Sequence, residues 1–157
     1  MLLIVWHSRT GASQAMAEAA HAAAGGLAKI LPAEQAGPNH LLGASGYLFA
    51  CPENLGSMSG PMKDMFDRCY YPLLGQVEGR PYATMIAAGS DGGGAQAQLD
   101  RIVTGWRLRR VAEPLIANLA AQTPEEILRP KRVPKPILQH CEELGVALAQ
   151  GLIQGIF

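Results

Sequence analysis

The stretch HSRTGASQ, His7 to Gln14, follows directly on the apolar run Leu2 to Trp6 and opens an alanine-rich segment that reaches Ala24. An apolar run this short and uniform reads as a β-strand covered on both faces, the kind found in parallel sheets. Behind it, Ser13 to Ala24 is expected to be a helix, so Ser8, Thr10 and Ser13 gather where a buried strand hands over to a helix N-terminus. Hydroxyls and free backbone N–H groups at such a point, assisted by the helix dipole, form a cradle for a phosphate. Turn residues and an ordinary N-cap are the plainer reading of the same hydroxyls.

Working outward, Gly25-Gly26 stops the helix and Leu27 to Leu31 forms a second strand before Pro32, while residues 33–44 give no clear pattern. Gly46 to Cys51 is another buried strand, expected to end at Pro52, and the polar loop Glu53 to Gly60 follows. Pro61 suits the first position of a helix whose Met62, Met65, Phe66, Cys69 and Tyr70 share one face. Tyr82 to Ala88 is a fourth strand, Ala95 to Trp106 keeps helical spacing, and a fifth strand lies near Arg110 to Ala117. The charged, proline-bearing stretch Gln122 to Pro136 reads as an irregular connection to a closing amphipathic helix marked by Ile137, Cys141, Leu144, Leu148 and Leu152. Right-handed crossovers then give a three-layer α/β/α sandwich around a five-stranded parallel sheet of order 2-1-3-4-5, one domain over residues 1–157.

The composition narrows the partners. Thirteen Lys and Arg balance thirteen Asp and Glu, so no global field draws nucleic acid or an anionic membrane. Only 17% of residues are charged against 48% hydrophobic, which predicts apolar surface covered in a homodimer or higher homo-oligomer. Cys51, Cys69 and Cys141 are scattered, fitting neither a disulfide framework nor a zinc site. With no basic leader and no apolar run of membrane-spanning length, the expectation is a cytoplasmic protein without membrane insertion.

Three strand ends carry unusual sequence: HSRTGAS after the first, CPENLGSMSG after the third, AAGSDGGGA after the fourth. In a doubly wound sheet these ends are neighbours at the ligand-binding edge. Asn54 to Ser57 and Gly92 to Gly94 offer flexible backbone and exposed amides suited to a flat heterocycle edged with carbonyls and ring nitrogens. Competing motifs fail. There is no G-x-x-x-x-G-K-[ST], no G-x-G-x-x-G after the first strand, and Gly56-Ser57-Met58-Ser59-Gly60 has methionine where a nucleophile elbow needs serine. The first strand ends in His7-Ser8 without the carboxylates of a receiver domain.

Ser8 to Ser13 resembles the phosphate loop of flavodoxins and flavodoxin-like reductases: serine, any residue, threonine, glycine, any residue, serine or threonine. CPENLGSMSGPMKDMFDRCYY is similar to the second flavin loop and following helix of flavodoxin-like NAD(P)H-dependent FMN/quinone reductases, and AAGSDGGGA resembles their third loop. The resemblance implies bound FMN. Its phosphate would be held by Ser8, Thr10, Gly11, Ala12 and Ser13, with Arg9 at a variable position of the motif. Pro52, Glu53, Asn54, Leu55, Gly56, Ser57 and Met58 would line the isoalloxazine on one side. Gly89, Ser90, Asp91, Gly92, Gly93 and Gly94 would meet its other edge.

Flavodoxins proper are strongly acidic and clamp the ring between aromatics, whereas this chain is neutral and offers Leu55 and Met58 in its second loop. That favours a reductase taking hydride from NAD(P)H and passing it to a quinone, a flavin or another small-molecule acceptor in a ping-pong cycle, over an electron carrier or a flavin-binding module without turnover. Amides near Asn54, Gly56 or Gly93 would stabilise charge on the reduced ring. Asp91 reads as a loop-forming Asx turn, His7 as a structural histidine, Tyr70, Tyr71 and Trp106 as core packing, and Arg107, Arg109 and Arg110 as a solvated basic edge.

Overall fold

The first strand, β1 (Leu2–Trp6), takes the centre of the sheet because every one of its leading side chains is apolar and can face a covered side. The computed structural model describes all 157 residues. β1 pairs in parallel with β2 (Ala28–Pro32) on one edge and with β3 (Gly46–Asn54) on the other. β3 pairs in parallel with β5 (Pro81–Ala88), and β5 carries two short outer strands, β6 (Arg109–Arg110) and β7 (Leu115–Asn118). A two-residue strand β4 (Ser57–Met58) folds back antiparallel on the end of β3.

The order 2-1-3-4-5 expected from the sequence is thus present, with two differences. The fifth position is divided between β6 and β7, because Pro114 and the residues before it interrupt pairing. The third strand runs through Pro52 to Asn54. Proline is tolerated there because β1 has already ended opposite Ala50, so the ladder at Pro52 runs to β5 alone.

Alternate residues of the strands feed two cores. Leu3, Val5, Phe49 and Cys51 pack with α3 (Gly60–Leu73) and α4 (Gly93–Gly105), where Phe49, Phe66 and Trp106 form a chain of tilted and edge-on rings. Leu2, Ile4, Leu48 and Ala50 pack with α1 (Ala12–Ala24) and α6 (Lys135–Gln154). Both sheet faces are dry, which explains why the central strands lack the polar alternation of a half-wet sheet. No helix is long and apolar enough to cross a membrane.

Residues 33–44, silent to local pattern, contain the short helix α2 (Pro38–Gly43), and distant arginines hold the segment. Arg80 Nη1 donates to the Leu41, Leu42 and Ala44 carbonyls at the helix end. Arg68 Nη1 and Nη2 reach the Ala36 and Ala33 carbonyls at 3.2 and 2.9 Å while its Nε pairs with Asp64. The expected irregular connection also contains a helical turn, α5 (Pro124–Leu128), closed by a Thr123–Glu126 capping box.

The alanines of α1 allow α6 to approach closely. A β-carbon on Gly145 would fall well inside contact distance of the Ala20 carbonyl oxygen, so the crossing is set by backbone. Helix propensity alone favours alanine over glycine by about 1 kcal/mol. Gly145→Ala should nonetheless lower stability, by about 1–3 kcal/mol of overpacking, seen as a lower urea midpoint with unchanged slope. A stabilised variant would show that the two helices can part without loss.

Candidate functional site

The chain order places β1 beside both β2 and β3, so the connections leaving β1 and β3 diverge at the carboxyl edge of the sheet, the switch point where doubly wound sheets take their ligands. The first loop fills the β1 side. Gly11 sits at φ 96°, a conformation that a β-carbon disfavours, and this turn swings the chain from the strand into α1. Ser8 Oγ accepts the Gly11 N–H at 3.0 Å and so ties the turn itself, keeping its own proton to donate. Ser13 is fully buried and its Oγ has no hydrogen-bond partner. The amides of Ala12, Ser13 and Gln14 find no acceptor in the protein, as befits a helix first turn. An orphaned buried hydroxyl beside three open N–H groups is the donor set that a phosphate needs.

The second loop is a β-hairpin. Leu55 and Gly56, at φ 52° and 73°, form the two-residue turn between Asn54 and Ser57. Positive φ at both central residues matches the right-handed strand twist, and a leucine there carries a backbone strain of about 1–2 kcal/mol. The Leu55 side chain is fully exposed at the tip. Met58, expected beside it, is instead buried in the core with Cys51 and Met62, because alternation along β4 turns it inward.

Second and third loops are fastened to each other. Glu53 Oε1 and Oε2 accept the Gly92 and Ala95 N–H groups at 2.9 and 3.0 Å, so a carboxylate from β3 caps the N-terminus of α4. Met58 N–H donates to Gln98 Oε1 at 2.8 Å. A β-carbon on Gly94 would collide with the Gly56 carbonyl, so glycine there serves close approach of the two loops. Asp91 Oδ1 accepts the Gly93 N–H at 3.2 Å, an Asx turn. The Gly92 and Gly93 amides are therefore engaged within the protein, and of the expected run of exposed amides only the Gly94 N–H has no acceptor there. Ser90 keeps its carbonyl bonded to Asn118 Nδ2 at 2.6 Å.

Two links escaped the sequence reading. His7 Nδ1 lies 2.8 Å from Ser59 Oγ, both buried, joining the first loop to the start of α3. With its amide oriented to satisfy both neighbours, Asn54 Oδ1 accepts from Arg9 Nε at 3.1 Å, joining the first loop to the hairpin. Neither contact has a local signature, since each spans about fifty residues. Burial holds the His7 pKa below that of an ordinary imidazole, Glu34 at 3.8 Å pulling it up and Arg9 down.

Other candidates lie elsewhere. Arg109 and Arg110 pair with Pro81 and Tyr82 at the opposite end of β5, about 20 Å from the third loop at strand rise. Arg107 and Arg110 are ion-paired there to Glu78 and Asp100. Trp106 is buried as expected, but Tyr71 is mostly exposed near the far end of α3. The three cysteines are free buried thiols, and burial pushes Cys51 and Cys141 up to about 12.

Two substitutions test this geometry. Glu53→Gln leaves one acceptor for two amides and removes the charge at the α4 dipole, so it should cost about 1–3 kcal/mol and speed hydrogen exchange at Gly92 and Ala95. Unchanged protection at both amides would refute the capping role. The unfolded chain takes up a proton at His7 near pH 6.5 while the folded protein resists it, so His7 contributes stability above that pH that is lost on acidification. Between about pH 7.5 and 5 the stability difference between the wild type and His7→Gln should shrink, as read from paired urea titrations.

The sequence profile of NADPH-dependent FMN reductase matches residues 35–121, more than half of the chain and including the second and third loops. A flavodoxin of Aquifex aeolicus (strain VF5) is 28% identical over 107 residues, 66% of this chain, and the match spans 58% of that relative's length. Among solved structures, an archaeal flavodoxin superposes with TM-score 0.79 at 17% identity, covering 97% of this chain and 98% of its own. A flavodoxin, WrbA-like protein from Agrobacterium tumefaciens does so with TM-score 0.78 at 17% identity, covering 98% and 97%. The topology, its switch point and the profile match agree: the chain has the flavodoxin-like fold and belongs to the NADPH-dependent FMN reductase family of flavin-binding oxidoreductases.

Proposed function

We propose that the protein holds FMN in the carboxyl-edge crevice and works as an NAD(P)H-dependent reductase of quinones, flavins or similar small acceptors, in ping-pong order. The observation that carries this reading is the buried Ser13 hydroxyl without a partner beside the open amides of Ala12, Ser13 and Gln14. When bound, the flavin supplies the hydride-accepting and electron-releasing chemistry. The residues of the chain bind and orient: Thr10 and Ser13 with the α1 amides hold the phosphate, and Arg9 and the Asn54 to Ser57 hairpin border the ring. The third loop supports that hairpin through Glu53 and the Gly56–Gly94 contact. No side chain need act as general acid or base, and the site needs none.

Charge favours a small acceptor over a protein one. A carrier docking on basic partners is strongly acidic, and this chain has a formal net charge of zero. The two loops beside the crevice contain no aromatic residue, so the ring would lack the aromatic cover that shields flavin from a nicotinamide.

The FMN-loaded protein should be yellow, bleach anaerobically on adding NADPH or NADH, and regain colour with a quinone. Sluggish bleaching by both nucleotides would indicate a carrier, and a colourless protein that ignores FMN a module of another kind. Ser13→Ala separates a binding role from a structural one by opposite signs. Removing an unsatisfied buried hydroxyl should leave the apoprotein as stable or slightly more so, while FMN Kd rises roughly tenfold or more, as measured by flavin fluorescence titration.

A further inference from the structure

One stretch of the surface departs from the even charge of the chain. Ile127 to Lys135, ILRPKRVPK, holds four of the thirteen Lys and Arg in its last seven residues and contains no Asp or Glu. Arg129, Arg132 and Lys135 are exposed, and none of them is ion-paired. Lys131 Nζ is bonded to the Glu126, Ile127 and Arg129 carbonyls and closes the end of α5. Directly before these cations, the aliphatic side chains of Ile127 and Leu128 are exposed. Pro130 and Pro134 stiffen the backbone and buried Val133 anchors it. The two acids of α5, Glu125 and Glu126, lie in its first turn, and the Glu126 carboxylate accepts the Gln122 and Thr123 amides.

The stretch is fixed at the carboxyl edge of the sheet. Lys131 N–H donates to the Thr10 carbonyl at 2.7 Å, and before α5 the Ala121 N–H donates to the Gly89 carbonyl at 2.9 Å, so the connection is tied to the first and third loops. The second loop brings another uncovered aliphatic group to that edge, Leu55, fully exposed at the hairpin tip and held at φ 52°. Leucine at a turn position that favours glycine or asparagine, with its whole side chain in water, contributes nothing to the fold itself. The amino edge is a contrast. Ile153 is exposed there, beside Leu152 packed on Gly46 at the start of β3, yet α6 carries no Lys or Arg beyond Lys135.

Unpaired cations next to exposed aliphatic side chains match an anionic bilayer surface, whose headgroups take the charges while the acyl boundary takes the aliphatics. A nucleic acid would use the cations and leave Ile127, Leu128 and Leu55 in water. The attraction acts within about 8 Å at physiological salt, so a net charge of zero does not oppose it. We propose that residues 127–135, together with Leu55, form a docking surface for an anionic phospholipid membrane, on which the protein lies with the carboxyl edge of its sheet toward the lipid. The association is peripheral, since no helix is long and apolar enough to cross a membrane. It goes beyond the flavin reading and does not depend on it.

Flotation of the full chain with lipid vesicles tests the docking. Partitioning onto vesicles of equal parts phosphatidylglycerol and phosphatidylcholine should exceed that onto pure phosphatidylcholine by roughly tenfold or more, and should fall as salt is raised. Arg129→Gln/Arg132→Gln/Lys135→Gln should weaken binding to the anionic vesicles by roughly tenfold or more, Lys131 being left to close α5. Leu128→Ser and Leu55→Ser should each weaken it with the salt dependence unchanged, and Ile153→Ser should leave it as it is. A second measurement needs no loss of binding: the emission of Leu128→Trp should shift to the blue on anionic vesicles and stay in place on neutral ones. Equal partitioning on both vesicles, a triple variant that binds like the wild type, or an unmoved Leu128→Trp emission would overturn the proposal. Duplex DNA bound as tightly as the anionic vesicles, with Leu128→Ser without effect on either, would overturn it too by assigning the stretch to polyanions. None of these readouts uses the flavin. Protein that docks but is not reduced by NAD(P)H refutes the reductase reading alone, and protein that is reduced but does not dock refutes the docking alone.

Discussion

A strand buried on both faces and paired on both edges can carry a polar side chain only where the core supplies it a partner, as Gln96 does for Thr84 of β5, and on β1, which has no such partner, this constraint organises the molecule. The chain must postpone its chemistry until the strand has ended. At Trp6 the neighbours β2 and β3 are already in place, so the first polar residues emerge between two diverging connections. The helix that follows then has to start beside them, and its unbonded amides come to the crevice as a consequence of topology. The open donors of the first loop are thus a result of sheet order as much as of the hydroxyl residues themselves.

The same constraint leaves the loops to find their own support, and they find it in one another. Glu53 is the chief example: a carboxylate carried on an extension of β3 satisfies two amides of α4 and makes the second and third loops one body. The Gly56–Gly94 contact and the Met58–Gln98 bond tighten the seam. A hairpin tip held this way can keep Leu55 in a left-handed conformation that an isolated turn would relax. The Gly92, Gly93 and Ala95 amides at the α4 end are thereby taken up within the protein, whereas the first-turn amides of α1 stay open.

Legibility in the sequence followed the range of the interaction. The apolar runs of β1, β3 and β5 and the spaced cores of α3 and α4 are decided within ten residues, and those elements appear where the pattern puts them. Residues 33–44 could not be read because Arg68 and Arg80, more than thirty residues on, supply the hydrogen bonds that shape them. Pro52 looked like a stop because proline breaks central strands, yet its position beyond the end of β1 removes the objection. Within the site, the glycines of the third loop were visible while their purpose was not. Gly94 is required by a carbonyl of the second loop, a fact that no spacing in either stretch encodes.

A net charge of zero also conceals an uneven surface. Arg68, Arg80, Arg107 and Arg110 are bonded to carbonyls or carboxylates, so the balance in the composition is partly a balance of internal pairs. What a ligand meets is the remainder, and Arg9, Arg129 and Arg132 belong to it. Screening at physiological salt limits the reach of such charges to about 8 Å, so their effect is confined to groups bound beside them. A protein built this way exerts no long-range pull on macromolecules. The bond from Lys131 N–H to the Thr10 carbonyl ties the β7–α6 connection, with Arg129 and Arg132 on it, to the first loop, so part of this unpaired positive charge is fixed to the carboxyl edge by backbone.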